Sequence, residues 1–197
     1  MKSVLVAIQP YWVFLIIAKT MGWKIDQEKT VEVRKNFPKD LNWNKKAIIY
    51  CSKNRQSFNR IPKKYQHLME RFLGKVIGDF VCDKICEQRP YKWREGGFEG
   101  LNWKYNSDFS EISCVSQDEL MRYGNRKTLY ACHITDLVIY DKPKELGEFK
   151  HECNGICVDT KTKKKCDRIT VDGFSCNGLK PVERPPQSWC YVKELGV

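Results

Sequence analysis

The chain lacks an apolar run of the ~18–20 residues that a bilayer span requires. It has only 3 histidines among its 197 residues. No internal repeat is found, nor a glycine-rich phosphate loop, a serine nucleophile elbow or a His-Glu zinc-protease pattern. Coiled-coil, collagen and integral membrane classes are excluded by composition. Carboxylates are scarce as well: 24 Asp and Glu stand against 35 Lys and Arg, a net charge of +11 with a pI near 9.1. Such a balance points to a polyanionic partner, although a basic surface alone serves solubility and steering.

What is present suffices for a core. Hydrophobic residues make up 42% and aromatics 12%, which argues against disorder. A chain of this length buries roughly 70% of its unfolded surface, so it needs no disulfides for stability. One domain with an embellishment is the expectation. Val4 to Ala18 is apolar but broken by Gln9 and Pro10. A short strand over Val4–Ile8 is predicted, then a helix with Pro10 at its first position that closes near Gly22. Pro10-Tyr11-Trp12 splits any signal-peptide core and no A-x-A site follows. A cytoplasmic chain is expected, with no membrane partner.

In a reducing compartment the 10 cysteines should be thiols or metal ligands. Cys51, Cys82, Cys114, Cys132 and Cys190 lie in or beside apolar strand-like runs, with Cys86 following the run of Cys82. All six read as small buried hydrophobes.

Glu28 to Phe37 alternates, with Val31 and Val33 on one face and Thr30, Glu32 and Arg34 on the other, as in a half-buried strand. Lys46–Cys51 and Lys75–Ile85 are further strands. Tyr65, Leu68, Met69 and Phe72 recur at helical spacing between Pro62 and Gly74. Ser116 to Glu119 forms a capping box for a short helix that Gly124 is placed to end. Leu129–Tyr140 is a long strand or a bent pair, and Ser188–Val192 closes the chain. Short strands with interposed helices suggest a small mixed barrel. Gln88 to Ser113 is polar and aromatic and reads as a long loop. Within it, Trp93 and Trp103 interleave with Arg89, Lys92, Arg94 and Lys104, a pattern that suits single-stranded nucleic acid or a ring-anchored loop.

His151 to Gly178 has too little apolar content for a core of its own, so burial explains its four cysteines poorly. Cys153 and Cys157, with three residues between them, can reach one tetrahedral zinc from a tight turn, and Cys166 and Cys176 would complete a structural site. His151 could replace one thiolate. A four-ligand site is closed and would not be catalytic. Lys161, Lys163, Lys164 and Lys165 between the pairs are either a solvated face or a phosphate-contacting run.

In the segment Lys29 to Arg34, cation, carboxylate and guanidinium can line a cleft wall for a nucleotide. Arg suits phosphate or a base edge, a desolvated Lys can act as a base, and Glu can move protons. The same residues could form an exposed Glu–Arg pair worth little. His133 reads as a satisfied core or rim residue and His67 as solvated. Tyr50, Ser52 and Lys53 end a strand where a cleft lip would lie. Trp12 or Trp23 could stack on a base or pack in the core.

The ordered segments Ile8-Gln9-Pro10-Tyr11-Trp12, Glu28 to Arg34, Ala47 to Lys53, Gly74 to Phe80 and Leu129 to Leu137 together resemble ASCH domains of the PUA-like superfamily. Arg184 to Val192 looks like the ending of bacterial and phage-type members. With the cysteine-rich stretch set apart as a zinc-stapled insert over 147–180, the resemblance implies an α+β fold: a small mixed β-barrel over residues 1–146 with flanking helices, completed by a C-terminal strand over 181–197. It further implies a cleft beside the first helix and second strand that binds RNA or a modified nucleotide. Lys29, Thr30, Glu32, Arg34, Tyr50, Ser52 and Lys53 are the expected contacts. Some small ASCH proteins are amidohydrolases acting on acetylated cytidine, and ribonuclease activity has been proposed for others. Lys29 matches their strand-start lysine, but Glu32 stands where a threonine is usual. Hydrolysis would use Lys29 and Glu32, with Glu111 or Glu119 as a distant carboxylate. A third reading is a protein adaptor acting through the cysteine-rich insert.

Overall fold

A computed structural model describes residues 3–36, 38, 46–92, 99–103, 109–125, 127–152 and 179–194. The four cysteines expected to bind zinc, and the lysines between them, lie outside these residues.

The chain opens with β1 (Ser3–Ile8), whose residues after Ser3 are apolar without alternation because the strand is covered on both sides. Val4, Val6 and Ile8 face one core cluster and Leu5 another. Pro10 then starts α1 (Pro10–Ile17) at its first turn, as predicted, and Val13 to Ile17 are all buried. The helix ends at Ile17, and the chain turns through Gly22 at φ 68°. β2 (Val31–Arg34), β3 (Lys46–Cys51), α2 (Arg55–Phe58) and α3 (Lys63–Met69) follow, the last running into a 3-10 turn at Glu70–Phe72. Next come β4 (Val76–Lys92), β5 (Glu99–Trp103), α4 (Phe109–Ser113) and α5 (Gln117–Gly124). β6 (Leu129–Lys144), β7 (Phe149–Glu152), β8 (Leu179–Pro181) and β9 (Trp189–Glu194) complete the chain.

The strands form one mixed sheet in the order β2-β6-β4-β3-β1-β9-β7-β8, with β5 paired to β4. β1 and β3 run parallel, and the other pairs are antiparallel. The α+β class is as expected, but among the described residues the sheet is not closed: β2 and β8 stand at opposite ends of the path. Curvature comes from β4 and β6, whose register shifts three times. At the middle irregularity Asp136 adopts φ 47°, so the long strand bends as bulged strands do.

Gln88 to Ser113 is not one long loop, because β4 continues to Lys92 and pairs with β5, and α4 follows. The capping box of Ser116 and Glu119 is formed, but Asn125, not Gly124, takes the left-handed conformation that ends α5. Gly124 is buried, and a Cβ there would lie 3.4 Å from Leu129 Cγ. That is ordinary van der Waals contact, so packing does not require a glycine there.

The largest core cluster lies between the sheet and α1, with Phe14, Phe58, Phe72 and Phe80 at its centre. On another face Leu5, Ile48, Tyr50, Val76 and Phe149 pack together. A third cluster joins Val31 and Val33 of β2 to Leu120 of α5 and Leu129 of β6. Cys51, Cys82 and Cys132 are fully buried, whereas Cys86, Cys114 and Cys190 are half-buried. Cys82 and Cys132 are paired as a disulfide between β4 and β6, where free thiols are expected from the sequence. Glu152 and Leu179 pair with each other across β7 and β8.

Candidate functional site

β2 supplies the centre of the site. Val31 and Val33 are drawn against α5 by hydrophobic burial, and strand alternation therefore sends Glu32 and Arg34 to the opposite side. That side is not solvent. Lys29, Glu32 and Arg34 are only 3%, 5% and 9% exposed, so of the two readings of this segment the exposed, weak Glu–Arg pair gives way to a buried ion cluster. The Glu32 carboxylate lies between the two cations, its Oε1 2.9 Å from Arg34 Nη2 and its Oε2 3.6 Å from Lys29 Nζ. The pleat would place Lys29 on the other face. It precedes the first strand residue, however, so strand alternation does not govern it.

Each cation is also held by backbone. Lys29 Nζ donates to the Ser113 carbonyl at the end of α4 (3.0 Å), and Arg34 Nη2 donates to the Ala7 carbonyl of β1 (2.6 Å). Three separate parts of the chain thus fix the cluster. Arg34 Nε, by contrast, is buried and has no hydrogen-bond partner. A buried donor left unpaired costs about 1–3 kcal/mol. Burial lowers the pKa of Lys29 from its ordinary value, with the Glu32 carboxylate opposing that shift.

A cavity of about 220 Å³ opens beside these groups, lined by Lys29, Glu32, Arg34, Gln9, Trp12, Glu119 and Tyr123. Ala7, Val33, Val115 and Leu120 form the rest of its wall. Trp12 projects from α1, and Lys29 Nζ lies 5.3 Å from its ring centroid. Gln9 precedes the helix, and its side chain makes no capping bond. Glu119 and Tyr123 are one helical turn apart on α5, with Tyr123 at the mouth, 41% exposed. Two cations and two carboxylates face the cavity. It is therefore close to neutral and rich in both donors and acceptors. Such a wall suits the hydrogen-bonding edge of a polar ring better than a phosphate, which would meet both carboxylates.

Of the residues expected in the cleft, Lys29, Glu32 and Arg34 come together there. Thr30 does not join them: its backbone bridges α4 and β6 through Ile112 and Ile134. Tyr50 packs in the cluster with Leu5 and Ile48. Ser52 bonds through its backbone to Ile8, and Lys53 lays its stem over Gly74. None of the three lines the cavity. Of the candidate distant carboxylates, Glu119 lines it and Glu111 does not. His133 pairs with Asp83 on the exposed rim (2.8 Å), and His67 is exposed on α3. Tyr123 is the cleft residue that sequence reasoning missed. Its position four residues after Glu119, on one helix face, was the available signal.

Among the described residues, no group of three or more His, Cys, Asp and Glu side chains could hold a metal. No described helix is long and apolar enough to cross a membrane.

No family model matches this chain, and no curated protein matches it. Among solved structures it is similar to ASCH from Zymomonas mobilis, at TM-score 0.45 and 15% identity, covering 97% of this chain and 87% of that one. A serine-to-alanine mutant of the same protein gives TM-score 0.43 and 12% identity over 97% and 88% of the two chains. A tyrosine-to-phenylalanine mutant gives 0.43 and 14% over 74% and 77%. These are ASCH proteins, the family that the sequence motifs resemble.

Proposed function

We propose that the protein binds RNA or a modified nucleotide, holding one base in the cavity between β2, α1 and α5. The observation that carries this reading is the buried Lys29–Glu32–Arg34 cluster in the wall of a small polar cavity. At about 220 Å³ the cavity falls below the ~300–1,000 Å³ typical of drug-sized ligands, a size that favours a single ring system. Arg34 and Lys29 donate to ring acceptors, and Glu32 or Glu119 accepts from a ring N–H. Binding of the four ribonucleosides and N-acetylated cytidine, measured by isothermal titration calorimetry, tests this. At least one should bind, and Tyr123→Ala, a change at the exposed mouth, should weaken it about tenfold, in line with ~1–3 kcal/mol for ring contacts to a base. Absence of binding by every nucleoside, and by any RNA or DNA oligonucleotide at low salt, would overturn the proposal.

A second reading is hydrolysis of such a nucleoside or of RNA. It is favoured by one observation, the lowered pKa of Lys29 beside a carboxylate. A lowered pKa raises the fraction of neutral amine, the form able to take a proton from water. Turnover of acetylated cytidine or single-stranded RNA, abolished in Lys29→Ala, would establish it.

We further propose that Cys153, Cys157, Cys166 and Cys176 bind a structural zinc within a 147–180 insert. The pairing of Glu152 with Leu179 supports this, because both ends of the segment meet at one point of the sheet. Metal analysis of the purified protein should give one zinc per chain, lost in Cys153→Ser/Cys157→Ser.

A further inference from the structure

On the other side of α1 from the cavity lies a second, larger recess of about 420 Å³. Tyr11 and Tyr65 are in its wall, with Lys24, Arg60 and Lys64 and a single carboxylate, Asp26. Its rings are fixed in place. Tyr65 stacks on Trp23 (5.4 Å between centroids), Trp23 stacks on Phe14 (5.7 Å), and the Tyr65 hydroxyl donates to the Lys24 carbonyl (2.8 Å). Lys24, Arg60 and Lys64 are exposed, and none has a carboxylate partner among the described residues.

The two recesses share a wall. Tyr11 faces the groove and Trp12 faces the cavity, and their ring centroids are 5.0 Å apart. Arg60 caps both rings, its Cζ 4.1 Å from the Tyr11 centroid and 4.9 Å from that of Trp12. A ligand too long for the cavity can therefore run past Arg60 into a groove with net positive charge. The charge contrast assigns the parts: the balanced cavity suits a neutral ring, and the cationic, ring-lined groove suits a phosphodiester with its own base. Single-stranded nucleic acid combines these two features in adjacent units.

We propose that this groove is a second subsite, binding the phosphate and base of the nucleotide next to the one in the cavity. The ligand class is thereby a single-stranded oligonucleotide and not a free nucleoside. The inference rests on the reading of the cavity as a base site.

The test compares full-length wild type with Lys24→Gln/Lys64→Gln, which leaves every cavity residue untouched, and with Tyr123→Ala. The probe is a fluorescein-labelled random-sequence hexaribonucleotide, read by anisotropy from 50 to 300 mM salt, alongside calorimetry with the preferred nucleoside. Wild type should bind the hexamer more tightly than the nucleoside. The lysine variant should bind the nucleoside as wild type does, lose on the order of tenfold for the hexamer at 0.1 M salt, and show a log–log salt slope shallower by about 0.7, the value per neutralised phosphate of single strands. Unchanged hexamer affinity and slope in the lysine variant would overturn the groove. So would a wild type that gains nothing from hexamer over nucleoside. In both cases nucleoside binding that is weakened by Tyr123→Ala would leave the cavity reading standing. A wild type that binds neither probe overturns both.

Discussion

Replacing Glu32 by glutamine keeps the shape and removes one negative charge from between two buried cations. The carboxylate is 2.9 Å from Arg34 and 3.6 Å from Lys29. With an effective dielectric constant near 20, each contact carries a gross attraction of about 5 kcal/mol. Most of that offsets the desolvation of the cations, and removing one partner of a buried pair typically leaves a net loss of about 3–5 kcal/mol. Against a usual total stability of about 5–15 kcal/mol this is large. At about 2–4 °C per kcal/mol for a chain of this size it lowers Tm by roughly 6–20 °C. Urea denaturation of wild type, Glu32→Gln, Lys29→Met and the double variant measures both the loss and the coupling. The double variant should be more stable than Glu32→Gln alone, because it no longer buries an uncompensated ammonium. A loss below about 1 kcal/mol with additive single effects would refute a cluster held together by charge.

Three further outcomes follow from the same structure. The pKa of Lys29 is lowered on folding, chiefly by burial. Between its folded and unfolded values the unfolded chain therefore holds a proton that the folded chain lacks, and stability rises with pH across that window. Urea midpoints of wild type relative to Lys29→Met should rise as pH approaches the ordinary lysine value, and a flat or falling difference would refute the burial. Burial pushes the Cys51 thiol up to about 12 and that of Cys190 to about 11. Site-mapped alkylation at pH 8 should therefore spare both in the native protein and label them once urea unfolds it. Gly78→Ala would drive a Cβ into the Val138 carbonyl where β4 meets β6. About 3 kcal/mol of lost stability, read by thermal unfolding, is expected for such backbone overpacking.

The limits of what the sequence reveals are physical. β3 was legible to the residue because β-branched and aromatic side chains leave a backbone little else to do. The Ser116 box was legible because both of its bonds are local. The pairing of β4 with β5 was not, since a polar, ring-rich stretch reads equally as an anchored loop until a partner strand is known. The site divides in the same way. Alternation placed Glu32 and Arg34 together, but the three charged residues look solvent-facing in sequence. Only the arrival of Ser113 from 84 residues away shows that Lys29 is buried. Long-range contacts also moved Tyr50 out of the cleft, because a strand covered on both faces has no free lip.

The net charge of +11 acquires a more specific meaning from this geometry than from composition. A base-binding pocket that carried the excess charge itself would pull phosphate into the space meant for a ring. Here Lys29 and Arg34 are offset within the cavity by Glu32 and Glu119, while Lys24, Arg60 and Lys64 around the neighbouring groove face only Asp26. Affinity that depends on salt would then originate outside the cavity, and discrimination between bases inside it. The two can be altered separately: lysine substitutions in the groove should change the salt slope without changing the order of preferred bases. Glu119→Gln should reorder the bases and leave the slope nearly unchanged. A slope change from Glu119→Gln as large as that from the lysines would mean that phosphate, not a base, occupies the cavity.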